Sequence, residues 1–193
     1  MKLQDRLPQG VTVGGRFHRL DFDFRNVLRM IDELDRQDLM PEAKAYRALR
    51  CLTRHPRNVG PVLDAVKALL FHKKAADGPR ITDFEQDAGL IRAAFWQAYR
   101  IDLYRDRLHY LQFVELLAAI PEGTRYSYVV GIRARPIPSP TKYNAEERAW
   151  LMKAKADVAL HYEENEQEQA ERYSRDVANI AAALIGWAGA KNG

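Results

Sequence analysis

From residue 23 to residue 133 apolar side chains recur every third or fourth position with charged residues between them, the pattern of helices that each bury one face. Asp23 to Arg36 carries Phe24, Val27, Leu28, Ile31 and Leu34 at that spacing. A second helix is expected from Pro41 through Ala43, Leu49, Cys51 and Leu52. His55-Pro56 ends it near Arg54, because proline disfavours helical geometry in the residue before it. Val62, Ala65, Val66, Leu69 and Leu70 predict a third helix from about Pro61 to Lys74, followed by a loop, Ala75-Ala76-Asp77-Gly78-Pro79. Thr82 with Glu85 three residues later has capping-box spacing, so a fourth helix is expected to begin there with Phe84, Ala88, Ile91, Phe95 and Ala98 as its buried stripe. From Arg107 to Ile120, Leu108, Tyr110, Leu111, Phe113, Val114, Leu116 and Leu117 cover most of the circumference and leave His109, Gln112 and Glu115 on a narrow polar arc. A helix apolar almost all round belongs at the centre of a bundle.

Other segments follow different rules. Val11-Thr12-Val13 and Arg16-Phe17-His18-Arg19-Leu20 are short alternating runs around Gly14-Gly15, which predicts a hairpin over residues 9–21, since glycines accept the positive φ that tight turns demand. Thr124 to Arg133 predicts a short helix with Tyr126, Val129, Val130 and Arg133 along one side. Pro136, Pro138 and Pro140 then forbid helix and give a stiff, extended connector. Asn144 with Glu147 repeats the capping pattern, and helical spacing continues to about Trp187, which if continuous would be roughly 60 Å long. That stretch has two apolar pieces, Leu151, Ala154 and Val158 in one and Tyr173, Val177, Ile180, Leu184 and Trp187 in the other, separated by the polar run Glu163 to Gln169. The expected architecture is mainly α: a single helical bundle domain (1–140) with a small N-terminal β-hairpin, and a long C-terminal helical arm (141–193).

Composition narrows the class. A chain of 193 residues with 47% hydrophobic content fills one core and is short for two independent ones. The single cysteine, Cys51, precludes an internal disulfide and fits a reducing compartment. Met1 to Arg6 is charged where a secretory signal needs an apolar run, and no segment approaches the roughly 18 apolar residues of a membrane span, so a soluble intracellular protein is expected. The net charge of +4 divides into +6 for residues 1–140 (23 basic, 17 acidic) and −2 for 141–193 (7 basic, 9 acidic). Acidic residues interrupt nearly every basic group, which argues against nucleic acid as the partner.

Candidate chemistry is sparse. His18, His55, His72, His109 and His161 are scattered, with no second ligand at metal spacing, so no catalytic, cofactor or metal residues are assigned. His109, near Asp102 and Asp106, is the best acid–base candidate, but a histidine hydrogen-bonded for structure on the edge of a buried helix is the favoured reading. Asp102 reads as a turn or cap residue. Trp96 lies one step off the buried stripe, at the core margin or facing a partner. Trp187, at the end of an apolar piece with no evident intrachain partner, is a candidate contact to another subunit. Trp96, Tyr173, Val177, Ile180, Leu184 and Trp187 are therefore the candidate partner-binding residues.

One word in the chain is distinctive: Asp87-x-x-x-Ile91-x-x-Ala94-Phe95-x-x-x-Tyr99-x-x-Asp102-Leu103, followed by Leu108-His109-Tyr110-x-x-Phe113-x-x-Leu116. With the opening Asp5-Arg6-Leu7-Pro8, Val11 to Phe17 and Asp23-Phe24-Arg25, and the closing Thr124, Gly131, Arg133 and Ile137-Pro138-Ser139, it resembles the bacteriophage gene-product-fifteen family from about Leu3 to Ala159. The resemblance implies a tail assembly chaperone in the host bacterial cytoplasm that coats the tape-measure protein until tail-tube subunits polymerise around it. It implies the tape-measure protein as partner and the tail tube protein as a second candidate; the residues themselves predict a homo-oligomer, through contacts of the hairpin near Gly14 and the arm after Asn144, with no cofactor, nucleic acid or membrane. The alternatives are a permanent tail completion or connector subunit and, from another class, a small enzyme using His109 and nearby carboxylates.

Overall fold

The computed structural model describes residues 4–71 and 80–161. In chain order these form strands β1 (Gly10–Val13) and β2 (Arg16–Arg19), then helices α1 (Phe24–Asp35), α2 (Pro41–Leu52), α3 (Val59–Leu70), α4 (Ala88–Tyr99), α5 (Tyr110–Ala118), α6 (Arg125–Ala134) and α7 (Ala145–Asp157). The fold is mainly helical with a small antiparallel N-terminal hairpin. Two compact units are present: 4–71 with 105–116, and 80–104 with 117–161.

In the first unit the hairpin forms where expected. Gly14 (φ 56°) and Gly15 (φ 74°) make the two-residue turn, and the ladder runs from Gly10 opposite Arg19 to Val13 opposite Arg16. Gly10 is required by crowding, since a Cβ there would run into the His18 carbonyl and the Phe17 ring. β1 packs on α3, α1 on α2 and α2 on α3. Val27, Met30 and Ile31 of α1, Ala48, Leu49 and Leu52 of α2, and Val62 and Val66 of α3 are buried. Met30, rather than Leu28, completes the inner face of α1.

Two helices in this unit, α3 and α5, have ends that differ from the sequence expectation. α3 starts at Val59 and ends at Leu70, because Asn58 turns left-handed (φ 51°) just ahead of it and Phe71 leaves helical geometry after it. α5 begins at Tyr110 and not at Arg107, because Leu108 and His109 are drawn into a bridge instead of a first helical turn. Phe24 N–H donates to the Leu108 carbonyl (2.9 Å) and Tyr110 N–H to the Phe22 carbonyl (2.8 Å), an isolated bridge centred on Asp23 and His109. That bridge brings Phe24 onto Phe113 in a stacked pair with centroids 4.6 Å apart.

In the second unit α6 packs against both α4 and α7. The capping box expected at Thr82 and Glu85 does not form. Asp83 Oδ1 instead accepts from the Glu85 and Gln86 N–H groups (2.8 and 2.7 Å), so residues 84–87 are a turn and α4 starts at Ala88. Ile91, Ala94 and Phe95 form its inner face. α6 lies where the sequence places it, capped by Thr124, whose Oγ1 accepts from Ser127 N–H at 3.0 Å. The proline connector is neither helix nor strand, and the Asn144 side chain turns back to it, accepting from Thr141 N–H and donating to the Ser139 carbonyl. Asn144 therefore makes no side-chain cap with Glu147, which pairs with Arg135. α7 buries Leu151 completely and stops at Asp157, since Val158 (φ −116°, ψ 11°) is not helical. A single helix from Asn144 to Trp187 is thus ruled out, and the expected helical piece beyond residue 161 lies outside the described residues, as does the loop Ala75 to Pro79.

Phe95 and Phe113 are fully buried. Phe95→Ala or Phe113→Ala is expected to lower stability by about 3–5 kcal/mol through the cavity each leaves, and half-buried His109→Ala by much less. Urea-melt midpoints of the three variants check this ordering.

Candidate functional site

The deepest polar cluster lies in the second unit. Asp87, the residue before α4, and Arg133, on α6, are joined by two parallel contacts, Arg133 Nη1 to Asp87 Oδ2 (2.6 Å) and Nη2 to Oδ1 (3.0 Å). Their side chains are only 2% and 10% exposed, so neither charge is stabilised by bulk water. The remaining donors and lone pairs are used locally. Arg133 Nε donates to the Val158 carbonyl beyond α7 and Nη1 also to the Ile81 carbonyl, while Asp87 Oδ2 accepts from Asp83 N–H and from the Thr82 hydroxyl. The Thr82 hydroxyl also meets the Tyr126 hydroxyl at 3.1 Å. Burial pushes the Tyr126 phenol up to about 12, so it stays a neutral hydrogen-bonding group. This cluster ties three chain segments together, residues 81–87, α6 and the end of α7, and presents no free group to a substrate.

The first unit holds an open groove of about 760 Å³ lined in part by Arg54, Arg107, His109, Asp21 and Asp23. Asp23 caps α1 and is clasped by Arg25 through two contacts of 2.9 Å. Burial raises its carboxyl, but the hydrogen bonds and charge of Arg25, with Arg107 nearby, outweigh that and hold it below the usual carboxylate range. Arg107 pairs with Asp21 at 2.7 Å. The His109 Nδ1 accepts from Leu111 N–H, which leaves the proton on Nε2 to donate to the Pro8 carbonyl at 2.9 Å. Burial shifts His109 towards the neutral form. Both ring nitrogens thus tie neighbouring backbone together, the structural role favoured from the sequence. Asp102 accepts from Tyr104 N–H at 2.9 Å and holds its own turn. Burial pushes the Cys51 thiol above its ordinary value, opposite to the shift of an activated nucleophile. Among the described residues no group of three or more His, Cys, Asp or Glu side chains is placed to hold a metal ion.

The feature best suited to recognition is the outer face of α4. Trp96 is 54% exposed, well outside the core margin, and Tyr104, in the turn after the helix, is 71% exposed. Arg100 lies 5.9 Å from the Trp96 ring centroid and Arg92 4.8 Å from that of Tyr104. Arg92 and Trp96 lie four apart on one face of α4, whose N-terminal half is flattened by exposed Gly89 and Ala93, and Arg100 closes the helix beside the Trp96 ring. Arg100 holds left-handed backbone (φ 57°), where an L side chain costs about 1 kcal/mol. Trp, Tyr and Arg are the residues that dominate protein–protein hot spots. The sequence pointed to Trp96 but not to Arg92, Arg100 or Tyr104, although the four-residue spacing of the first two around Trp96 was a readable signal. Tyr173, Val177, Ile180, Leu184 and Trp187 lie outside the described residues.

The family model described as Bacteriophage Gp15 protein matches residues 3–74 and 60–160. No curated protein and no solved structure matches the chain. No helix among the described residues is long and apolar enough to cross a membrane.

Two outcomes follow from the buried charges. Arg133→Ala strands the Asp87 carboxylate and is expected to lower stability by about 3–5 kcal/mol, with Arg133→Lys restoring only part because it cannot make the paired contact. Denaturant midpoints of both variants measure this. Because Asp23 titrates lower in the folded chain than in the unfolded one, its contribution is present at neutral pH and is lost as pH falls from about 4 through its folded value. Asp23→Asn is expected to flatten the fall in stability over that acid window, as read from melts at stepped pH.

Proposed function

We propose that this chain, which belongs to the bacteriophage Gp15 family, is a tail assembly chaperone which holds the tape-measure protein in solution during tail morphogenesis. The observation that carries this reading is the outer face of α4, where Trp96 and Tyr104 stand exposed with Arg92 and Arg100 against their rings. A tape-measure protein before tube assembly is a long helix with uncovered apolar stripes. An aromatic helical face covers such a stripe by helix packing, with the small residues Gly89 and Ala93 admitting a close approach. Many weak copies along one long partner then act together through effective concentration. The buried polar groups of both units support a binding role over a catalytic one, because each is consumed in holding the backbone. Self-association, which the tail tube must eventually displace, belongs to the same proposal and is read by light scattering.

Co-expression with the tape-measure protein of the same phage is expected to raise the soluble yield of that partner several-fold, and mass spectrometry of purified tails is expected to find this chain absent. Trp96→Ala should remove most of the gain. Arg100→Gly, which relieves a left-handed arginine while deleting a ring partner, should keep or raise the melting temperature and still reduce the yield. Equal tape-measure solubility with and without this chain would defeat the proposal. Stoichiometric recovery from tails would make it a permanent completion or connector subunit instead.

A further inference from the structure

The hairpin offers a second, separate surface. Its register, with Leu20 N–H bonded to the Gln9 carbonyl at 2.9 Å, makes Gln9–Leu20, Val11–His18 and Val13–Arg16 the hydrogen-bonded pairs. Phe17 and Arg19 therefore direct their N–H and C=O groups away from β1. These groups form no hydrogen bond with another described residue. Phe17 is 58% exposed beside them. A groove of about 190 Å³ runs along this strand, lined by Arg16 to Leu20 on one side and by Leu49, Thr53, His55, Arg57 and Val62 from the helical side. It shares Arg19, Leu20 and Thr53 with the larger groove, where Arg54 stands. No carboxylate lines the smaller groove, and Arg16, Arg19, Arg54 and Arg57 make no ion pair or hydrogen bond with another described residue through their side chains.

We infer that the outer edge of β2 receives an extended, acidic segment of a partner protein as a third strand. Alternating free donors and acceptors match a strand, whereas a polyanion would call for donors alone. The charge selects the partner. A second copy of β2 would bring its own Arg16 and Arg19 to an edge that already carries both, with no carboxylate on either strand to offset them, and like charges brought together destabilise a ladder. An acidic strand meets Arg16, Arg19 and Arg57 along this groove without such a conflict, and an apolar side chain in it covers Phe17. Because the surface lies in the first unit, this binding does not depend on the tape-measure reading of α4.

The test uses the full chain and a fluorescein-labelled peptide of alternating glutamate and valine, with a lysine–valine peptide of the same length as control. Polarisation should rise with the acidic peptide alone. Amide exchange followed by NMR should show the Phe17 and Arg19 N–H groups exchanging freely in the unbound chain and slowing in the complex. The double substitution Arg16→Ser with Arg19→Ser should weaken binding about tenfold while leaving the melting temperature near its original value. Absence of binding, or binding without protection of those two amides, overturns the inference. So does equal binding of single-stranded oligo-dT without protection, which would mean a general polyanion surface. Protection already present without peptide also overturns it: a rise with protein concentration would identify a second copy as the occupant, and no such rise would identify the chain itself.

Discussion

The second unit depends on the Asp87–Arg133 pair. Its members come from the turn before α4 and from the last turn of α6, and Arg133 also reaches the carbonyls of Ile81 and Val158. One guanidinium thus fixes the entry to α4, the side of α6 and the end of α7. An ion pair this deep is not in itself a large source of stability, because removing two charges from water costs nearly as much as their attraction returns. Its effect is on specificity. With four of the five guanidinium N–H groups and both carboxylate oxygens engaged in one arrangement, a slipped α6 would leave a charge unpaired in an apolar interior, so the apolar contacts of Phe95, Tyr126 and Leu151 are held to a single packing.

That fixed interior is what gives the outer face of α4 its meaning. Ile91, Ala94 and Phe95 are committed inward, so Trp96 cannot rotate to the core without withdrawing them. An indole left half in water, flanked by an arginine in left-handed backbone, is a local arrangement that favours neither burial nor backbone ease. Both costs fall on one helix face, where covering by a partner would recover the first.

Much of the fold was legible because it follows from periodicity. The hairpin was readable from Gly14-Gly15, α1 from Phe24 to Leu34, and α6 from Thr124 with Tyr126, Val129 and Val130. Apart from α3, whose ends follow from the backbone at Asn58 and Phe71, the misread boundaries involve a long-range partner or a competing short-range one. Residues 107–109 have helical spacing, yet bridging to Phe22 and Phe24 satisfies their backbone better. Thr82 has the spacing of a cap, yet Asp83 closes the turn first and Thr82 is drawn to Asp87 and Tyr126. Asn144 turns back to the connector rather than forward to its helix. The structural role of His109 was anticipated from its place at the edge of an apolar helix, but its partner Pro8, 101 residues away, was not. The buried pair was half visible: Arg133 continues the Tyr126, Val129 and Val130 side at helical spacing, and an arginine on a buried stripe requires a carboxylate that only the fold can identify.

The proposed meeting point of this phage protein with a helical partner is the outer face of α4. Hydroxyl-radical footprinting of the chain alone and in complex with the tape-measure protein of its phage measures this residue by residue. The account predicts that oxidation of Trp96 and Tyr104 falls sharply in the complex while exposed Met40 and Tyr46, in the other unit, keep their reactivity. Unchanged oxidation of Trp96 and Tyr104 in a complex that has demonstrably formed would contradict it.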